Sequence, residues 1–325
     1  MKENHGRVGL TARMALQRLT SLGVGGAARS DHKMAEAATK CQYDVPNAFY
    51  AQWLDPQMVY SCGYFENGDE DLASAQCKKI DHILTKLQLR PGQTLLDIGC
   101  GWGALTIRAA QQFGAHCVGI TLSAQQHALA CERVAAAGMS HQIEIRHEDY
   151  RDVRGRFDRI ASVGMLEHVG LRNLSLYFGK IHALLRDDGI AINHGITTTN
   201  INTAATDAGD FIGKYVLPHG TLEHVSAVLR AMQEAGLETL DVENLRRHYA
   251  RTYALWSDNF EAHTAHIRTL IDERRYRIWR VHLAGCAHAF EQDWIALFQI
   301  LCMRAGSNGA SHAWSRRYMY PVLPG

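Results

Sequence analysis

The sequence predicts an α/β fold built on a doubly wound, mainly parallel, seven-stranded sheet. From about residue 80 to residue 197, short apolar runs alternate with helical stretches. Strands separated by helices of about 10–15 residues are typical of parallel sheets. The first apolar run, TLLDIGCG, ends in closely spaced glycines, as a tight turn from strand to helix requires. Two later apolar runs, LETLDVENL and WIALFQILCM, are expected to return to the edge of the sheet.

The elements follow in order along the chain. Strands are expected at TLLDIGCG, HCVGITLS, IEIRHEDY, FDRIASVGML and GIAINHGIT, with helices at Ala104–Phe113, Ala124–Ala137 and near Leu174–Leu185. A polar loop and helices at about 205–235 interrupt this rhythm, and two helices are expected between the last two strands. These patterns divide the chain into an N-terminal helical segment (1–85), a catalytic domain (86–310) with a helical insertion at about 200–235, and a tail (311–325).

The N-terminal segment begins with about 33 basic, Gly- and Ala-rich residues. One helical face of this stretch is small and apolar, and its members are Ala12, Ala15, Leu16, Leu19 and Leu22. A loosely docked helix explains this pattern. A helix that covers the active site or touches a lipid surface explains it as well.

Composition narrows the class of protein. The 325 residues carry 34 basic and 33 acidic side chains, so no global field attracts nucleic acid, and no nucleic-acid partner is expected. The eight cysteines form no CxxC pair, which favours a reduced, cytoplasmic protein. No apolar run approaches the roughly 20 residues of a membrane span. The histidines show no metal-ligand spacing, so no metal is expected.

The glycine turn indicates a nucleotide-type ligand. Gly99, Gly101 and Gly103 follow a buried strand and open a helix, which lets a ligand approach the backbone. Asp97 within that strand would be costly to bury unless it meets amides or a cationic ligand. The pattern D-x-G-x-G-x-G resembles motif I of class I S-adenosylmethionine (SAM) methyltransferases and favours SAM over a nicotinamide cofactor. The second strand ends GITLSAQQ, without an acid, so ribose recognition is expected to use neutral hydrogen bonds.

A second group of polar residues lies at the ends of the fourth and fifth predicted strands. Glu167 and His168 stand in SVGMLEHVG, and His194 stands in NHGIT. Either histidine alone is explained by a buried imidazole bonded to a backbone carbonyl. Together with the glycine turn they place a carboxylate and an imidazole where catalytic groups of open α/β sheets lie.

Six motifs resemble those of the cyclopropane fatty acid synthase family, which includes the mycolic acid cyclopropane synthases. They occur in the family's order and are YDVPNAFYAQWLDPQMVYSCGYF, LLDIGCGWGALTIRAA, GITLSAQQ, FDRIASVGMLEHVG, FIGKYVLPHG and DVENLRRHYARTYALWSDNFEA. The match runs from about Tyr43 to Arg304. It implies a class I SAM-methyltransferase (Rossmann-like) fold, with the N-terminal segment completing the active site and the insertion covering it.

The resemblance implies a defined chemistry. SAM donates its methyl group to a cis double bond of a phospholipid acyl chain, and a carbocation forms. Loss of a proton from the transferred methyl group to a bound bicarbonate then closes a cyclopropane. The expected partners are therefore SAM, bicarbonate and an unsaturated lipid or another alkene.

The resemblance also implies the site residues. Side chains of Glu167, His194 and Tyr249 and backbone groups of Cys62 and Ile196 would hold the anion. Cys286 matches a family cysteine sometimes treated as catalytic, although its apolar helical surroundings favour a buried core position. The implied cofactor-binding residues are Tyr60, Ser61, Asp97, Gly99, Gly101, Trp102, Thr121, Gln126, Tyr150 and Arg151. Tyr150 is expected either to stack on the adenine or to be an aromatic residue at the sheet edge.

Several alternatives remain open on the sequence alone. The product could be a methyl branch or a methylene, and the same scaffold could methylate nitrogen in a small amine or carbon in another metabolite. A SAM-binding lipid carrier without catalysis is a third possibility, which the full anion-holding set disfavours. Pro46 and Gly195 replace the family's usual glycine and threonine, and the loss of a side chain at 195 could enlarge the pocket or change what it accepts. Transient contact with the inner-membrane surface and a homodimer are also expected from the resemblance.

Overall fold

The computed structural model describes residues 45–200, 222–307, 309 and 312–320, and a seven-stranded sheet forms their centre. The strands are β1 Thr94–Ile98, β2 His116–Thr121, β3 Ile143–His147, β4 Phe157–Val163, β5 Leu185–Thr198, β6 Leu237–Asn244 and β7 Ile295–Arg304. Their order across the sheet is β3-β2-β1-β4-β5-β7-β6. Strand β7 runs antiparallel to both β5 and β6, and the remaining pairs are parallel. The predicted, mainly parallel sheet is confirmed.

The helices occur close to their predicted places. They are α1 Asn47–Tyr50, α2 Leu72–Lys86, α3 Ala104–Phe113, α4 Ala124–Ala136, α5 Leu166–Val169, α6 Leu174–Leu184, α7 Val225–Glu234, α8 Arg246–Ala262, α9 Thr264–Leu270 and α10 Glu273–Glu291, with 3₁₀ turns at Leu171–Asn173 and Arg316–Met319. Three helices, rather than the expected two, connect β6 to β7. The apolar face at Ala12–Leu22, the motif FIGKYVLPHG and residues 201–221 of the insertion lie outside the described residues.

Helices cover both faces of the sheet, as a doubly wound fold requires. Successive strand residues point to opposite faces, so Leu95 packs into one core and Leu96 into the other. The first core also takes apolar side chains from α2, α3 and α4, together with Met319 from the tail. The second core is filled from α5, α6 and α7. Both faces of β1 are therefore dry, and its polar residues need specific partners.

A third cluster of buried side chains is mostly aromatic and joins α1, α8 and α10. Its largest members include Phe49, Tyr50, Trp53, Tyr249, Tyr253, Trp256, Phe260, Trp279 and Phe290. Trp53 and Trp256 pack edge to face with ring centroids 5.8 Å apart, an arrangement favoured by the ring quadrupoles. Trp102 at the β1–α3 turn and Ile196 near the end of β5 pack against the cluster. The aromatic cluster therefore adjoins the strand ends that carry the predicted site.

Candidate active site

The β1–α3 turn brings the backbone into an open space at the end of the sheet. Gly99, Gly101 and Gly103 have φ of 81°, 55° and 85°, in the left-handed region that glycine adopts without strain. The amides of Gly99 and Cys100 donate to the carbonyl of Ile120, at 3.0 and 2.9 Å. A Cβ on Gly99 would lie 2.8 Å from Sδ of Met165, whereas a Cβ on Gly101 would meet nothing within 4 Å. Gly101 therefore borders space that a ligand can use.

Asp97 lies immediately before this turn and is 2% exposed. Burial raises the pKa of Asp97 to about 7, and the positive charge of Lys79 opposes that rise. Lys79 of α2 is itself buried, which lowers its pKa to about 8, and its Nζ donates to Oγ of Ser61 at 2.8 Å. Gln76 of the same helix donates to the carbonyl of Ser61 at 2.7 Å. Helix α2 thus fixes the position of Ser61 and supplies the charge that acts on Asp97.

The polar residues after β2 bond to one another. Thr121 Oγ1 donates to Gln126 Oε1 at 2.8 Å and accepts from the amide of Ser123 at 3.1 Å. Ser123 caps α4 by accepting from the amide of Gln126 at 3.3 Å. These three neutral residues form a closed set of hydrogen bonds, and recognition of ribose through them stays a prediction.

Tyr150 and Arg151 follow β3. Arg151 forms a bidentate ion pair with Asp149, with N···O distances of 2.9 and 2.6 Å. The Arg151 guanidinium carbon lies 5.7 Å from the centroid of the Tyr150 ring. Tyr150 meets Tyr177 edge to face at 5.4 Å. Tyr177 of α6 thus packs against Tyr150, and Asp149 holds Arg151. Stacking of Tyr150 on adenine stays a prediction.

Trp102 and Tyr60 connect the glycine turn to the aromatic cluster. Trp102 Nε1 donates to Asn47 Oδ1 at 2.8 Å, which ties the turn to α1. The Tyr60 ring lies 5.2 Å from that of Trp256, and its hydroxyl oxygen lies 3.3 Å from Nε2 of His282. The segment from Tyr60 to Cys62 therefore lies between the predicted cofactor site and the aromatic cluster.

The pairing of β4 with β5 places Glu167 and His194 at the same end of the sheet. Val163 of β4 pairs with His194 of β5, and Glu167 follows β4 in the short helix α5. Glu167 Oε1 accepts from the amide of Ile196 at 2.7 Å, and Nδ1 of His194 lies 3.2 Å from Nε2 of Gln299. Within the described residues, Oε2 of Glu167 and Nε2 of His194 are both buried without a hydrogen-bond partner. Two predicted site residues thus each present an unpaired polar atom.

Burial controls the charge of this pair. It raises the pKa of Glu167 to about 7 and lowers the pKa of His194 well below its ordinary value. His194 is therefore a neutral imidazole at physiological pH, and Glu167 exchanges a proton near neutrality. A buried polar atom without a partner costs roughly 1–3 kcal/mol. A ligand group that bonds to either atom would remove this cost at that atom.

Tyr249 and Cys62 line the same region from the aromatic side. The Tyr249 ring lies 4.8 Å from Tyr253 and 4.7 Å from Phe290, and burial raises its pKa, so the phenol stays protonated. Cys62 is fully buried, and its thiol donates to the carbonyl of Gly63 at 3.1 Å. Burial raises the pKa of Cys62 as well. Its sulfur is a thiol rather than a nucleophilic thiolate.

Cys286 lies on α10 and is a buried member of the aromatic cluster. Its sulfur is 3.5 Å from Nδ1 of His282, one helical turn earlier, and burial raises the pKa of the thiol to about 12. The contact with His282 connects Cys286 to Tyr60 rather than to Glu167 or His194. A direct catalytic role of Cys286 remains a prediction without a contact that supports it.

The interpretation that Gly195 enlarges the pocket is wrong. A Cβ at this position would lie 2.6 Å from Cβ and 2.9 Å from Cδ2 of Leu166. Leu166 already fills the space that a side chain at 195 would need. Pro46, the other departure, precedes α1 with φ −58°, the value that its ring prefers.

Sequence reasoning missed several residues that shape the site: Asn47, Lys79, Tyr253, His282 and Gln299. Two of them carried a usable signal. Lys79 lies on the buried face of α2 with Ala75 and Ile83, and Gln299 is the one polar residue in WIALFQILCM. A polar side chain inside an apolar pattern indicates a buried partner, although it does not say which partner.

Two properties complete the description of residues 45–200, 222–307, 309 and 312–320. None of their helices is long and apolar enough to cross a membrane. They also contain no group of three His, Cys, Asp or Glu side chains placed to hold a metal ion.

Comparison with known proteins identifies the family. The sequence model of the family described as mycolic acid cyclopropane synthetase matches residues 30–300. A "Probable fatty acid methyltransferase" of Pseudomonas putida is 46% identical over 298 residues, covering 90% of this chain and 76% of the relative. The cyclopropane-fatty-acyl-phospholipid synthase of Escherichia coli K12 is 37% identical over 279 residues, covering 85% of this chain and 70% of that one.

A solved structure extends the similarity to three dimensions. The crystal structure of mycolic acid cyclopropane synthase CmaA1 complexed with SAH and CTAB has a TM-score of 0.79 at 33% identity, and the match covers 83% of this chain and 98% of that one. The family model spans well over half of the chain, and relatives above 30% identity cover most of it. The chain therefore belongs to the mycolic acid cyclopropane synthetase family of SAM-dependent methyltransferases.

Proposed function

We propose that this protein methylates a cis double bond in a phospholipid acyl chain and closes the product to a cyclopropane. The observation that carries the proposal is the pair of buried, unpaired atoms, Oε2 of Glu167 and Nε2 of His194, where β4 and β5 end. Such a pair suits a small ligand that both donates and accepts hydrogen bonds.

The cofactor half of the proposed site is the edge around β1 and β2. SAM, when bound there, supplies an electrophilic methyl group on a sulfonium centre. Gly101 leaves room for it, Asp97 offers a carboxylate to its ammonium group, and Thr121 and Gln126 offer neutral hydrogen bonds. Ser61 is held beside them by Lys79. The SAH in the CmaA1 structure supports this assignment.

The second half of the proposed site surrounds Glu167, His194 and Tyr249 and is called the anion half. It fits bicarbonate. When bound, that anion supplies a base for the proton that leaves the transferred methyl group. Glu167 would accept its O–H group through Oε2, and His194 and Tyr249 would donate to its oxygens. The backbone near Cys62 would add a further contact, and the amide of Ile196 would act by holding Glu167 in place through its Oε1. Because the pocket is dry, such directed bonds are needed to offset the desolvation of a small anion.

The aromatic cluster suits a cationic intermediate. The rings of Tyr60 and Tyr249 lie 5.2 and 6.0 Å from the ring of Trp256, between centroids. Their faces can stabilise a carbocation by roughly 1–2 kcal/mol without trapping it covalently. The same rings exclude water, which would otherwise capture the cation.

A second candidate function is formation of a methyl-branched fatty acyl chain. It is favoured by the name of the Pseudomonas relative, a fatty acid methyltransferase, at 46% identity. Both reactions begin with methyl transfer to the alkene, and they differ in the fate of the cation. The anion half of the site, with its two unpaired atoms, favours ring closure.

Product analysis with methyl-deuterated SAM separates the two functions. A cyclopropane keeps two of the three deuterons of the donated methyl group, whereas a methyl branch keeps three. We expect lipids from unsaturated phospholipid vesicles to gain a ring with two deuterons. In Tyr249→Phe we expect a lower rate and a larger share of branched or hydroxylated product. Retention of all three deuterons by the wild-type product would replace the ring-closing assignment with branching.

Location and assembly belong to the same proposal. A phospholipid substrate requires the enzyme to reach a membrane surface, so we propose a cytoplasmic protein that contacts the inner membrane transiently, as a monomer or homodimer. We also propose that residues 1–85 complete the active site, since α2 holds Ser61 and α1 holds Trp102. Sedimentation with anionic and neutral vesicles tests the membrane contact, and failure to bind either would contradict it.

A further inference from the structure

Three polar residues form a row across the face of the sheet that α2 covers. Gln299 of β7 pairs with His194 of β5 on one side and with Glu243 of β6 on the other. Paired residues on neighbouring strands direct their side chains to the same face. Gln299 is 0% and His194 1% exposed. An amide at this depth in an apolar strand costs free energy unless it has a specific partner.

The amide of Gln299 is directed toward His194. Its Nε2 lies 3.2 Å from Nδ1 of the imidazole. On the other side of the row, Oε2 of Glu243 lies 2.8 Å from Nε2 of His82 and 2.5 Å from Nζ of Lys86, both on α2. That carboxylate oxygen is therefore engaged by α2, and the bond that Gln299 forms is to the imidazole.

This bond determines where the proton of His194 stands. The nitrogen of the Gln299 amide can only donate, so Nδ1 of His194 is the acceptor. Burial lowers the pKa of His194 most, and Lys79 and Lys86 of α2 lower it further, whereas the charge of Glu243 acts in the opposite direction. The neutral ring has a single N–H, which then stands on Nε2. Among the described residues, Nε2 is buried without a partner, so this N–H points to a ligand.

We propose that Gln299 is a positioning residue that keeps Nε2–H of His194 a hydrogen-bond donor to the ligand of the anion half. The proposal rests on the proposed function, in which that ligand is bicarbonate. With the amide reversed, Oε1 of Gln299 would accept from Nδ1–H, and His194 would present a lone pair to an anion. Gln299 acts here through the imidazole, without a contact of its own to the ligand.

The first test is the tautomer of His194 in the free enzyme. In protein labelled with ¹⁵N-histidine, the signals lost in His194→Gln identify this ring. We expect Nε2 to carry the proton in the wild type at pH 7 and at pH 9. A proton on Nδ1 would overturn the proposal, because the amide would then be reversed. This measurement needs neither cofactor nor bicarbonate, so it stands even if the proposed function fails.

Gln299→Glu is the isosteric change that reverses the bond. At pH 9 the carboxylate can only accept, so we expect the proton of His194 to move to Nδ1. Asn193→Asp is the matched control, because Asn193 is 2% exposed and points to the opposite face of β5, where it accepts from the Tyr177 hydroxyl at 3.1 Å. We expect this control to keep the wild-type tautomer. If both variants keep the proton on Nε2, residue 299 does not determine the tautomer and the proposal is wrong.

The second test is the bicarbonate requirement of turnover, titrated in carbonate-depleted buffer at pH 9. Loss of a hydrogen bond to a charged ligand corresponds to a factor of about 10–100. We expect Gln299→Glu to raise the half-saturating bicarbonate concentration by that factor. Gln299→Met, which leaves the ring free to take either tautomer, should raise it less. SAM affinity, measured by calorimetry, should stay unchanged in both variants. An equal rise in Asn193→Asp would overturn the proposal.

The two tests separate this proposal from the proposed function. If wild-type turnover does not depend on bicarbonate while Gln299→Glu still reverses the tautomer, Gln299 positions His194 for another ligand and the bicarbonate assignment fails instead. If the wild type requires bicarbonate but Gln299→Glu and Gln299→Met require no more of it, the donor role of His194 does not depend on Gln299. That result would overturn the proposal and leave the proposed function intact.

Discussion

The two halves of the proposed site differ in how completely their polar groups are paired. Around β2, Thr121, Ser123 and Gln126 bond to one another, and the amides of the glycine turn bond to Ile120. Around β5, buried atoms of Glu167, His194 and Gln299 have no partner among the described residues. The three neutral residues after β2 are paired without a ligand, whereas the anion half keeps unpaired buried atoms.

This difference reflects how each half is assembled. Thr121 and Gln126 are five residues apart, so one turn of chain between β2 and α4 brings them together. His194 and Gln299 are 105 residues apart and meet only when β5 pairs with β7. The first half is therefore a property of a local motif. The second depends on the whole sheet, and its unpaired atoms cost free energy until a ligand binds.

The largest effect is expected from Glu167→Gln, which changes the anion half alone. The amide oxygen can still accept from Ile196, but the side chain can no longer take up a proton. We expect kcat to fall by ~10²–10⁴, as for loss of a positioned acid–base group, with SAM affinity unchanged. Glu144→Gln on the surface of β3 is the matched control. Normal turnover by Glu167→Gln in bicarbonate-free buffer would contradict the carbonate assignment.

The same substitution is expected to change the pH dependence of stability. The folded pKa of Glu167 is raised from 4.5 to about 7, so the folded state binds more protons than the unfolded state between these values. Its stability therefore falls as pH rises through this window, by roughly 3 kcal/mol in total. Glu167→Gln should match wild type near pH 4 and be more stable at pH 8. Urea unfolding at both pH values measures this, and equal stability at pH 8 would argue against a buried, strained carboxylate.

Gly101→Ala tests the cofactor half. A methyl group there meets no protein atom within 4 Å, so any loss of SAM binding comes from the ligand's own space or from the backbone. Gly138, with φ 70° and equally open surroundings, supplies the backbone control. We expect at least tenfold weaker SAM binding for Gly101→Ala and no change for Gly138→Ala, measured by calorimetry. Equal affinities of the two variants would place the cofactor elsewhere.

The smallest effect is expected from Thr121→Val. The substitution removes one donor to Gln126 and one acceptor for Ser123, while the remaining bonds of the set persist. We expect SAM binding to weaken by about 1 kcal/mol, or roughly fivefold, because this is the effect of losing a typical hydrogen bond. A much larger loss would show that the cofactor half depends on its internal bonds as strongly as the anion half depends on its ligand.

The fold was predictable because its signals are periodic and local. The β1–α3 turn has its Asp97 and glycines in sequence, and α3 lies at the predicted Ala104–Phe113. The separate helix α9 was not predicted, because the break at His263 carries neither glycine nor proline. The identities of Glu167 and His194 came from strand ends and resemblance. Lys79 and Gln299 could not be assigned in advance, because a buried polar residue does not reveal its partner across the fold.

The close contact between Gly195 and Leu166 has a consequence for transferring this site to other proteins. Even alanine at 166 would keep the Cβ that lies 2.6 Å from the Cβ position of residue 195, so trimming the leucine cannot make room for a threonine. The backbone of α5 would have to move outward, and Glu167 would move with it, away from the amide of Ile196. The conformations of residue 195 and of the turn 165–169 are therefore coupled. A chimera that exchanges one without the other would change the position of the acid rather than the volume of the pocket.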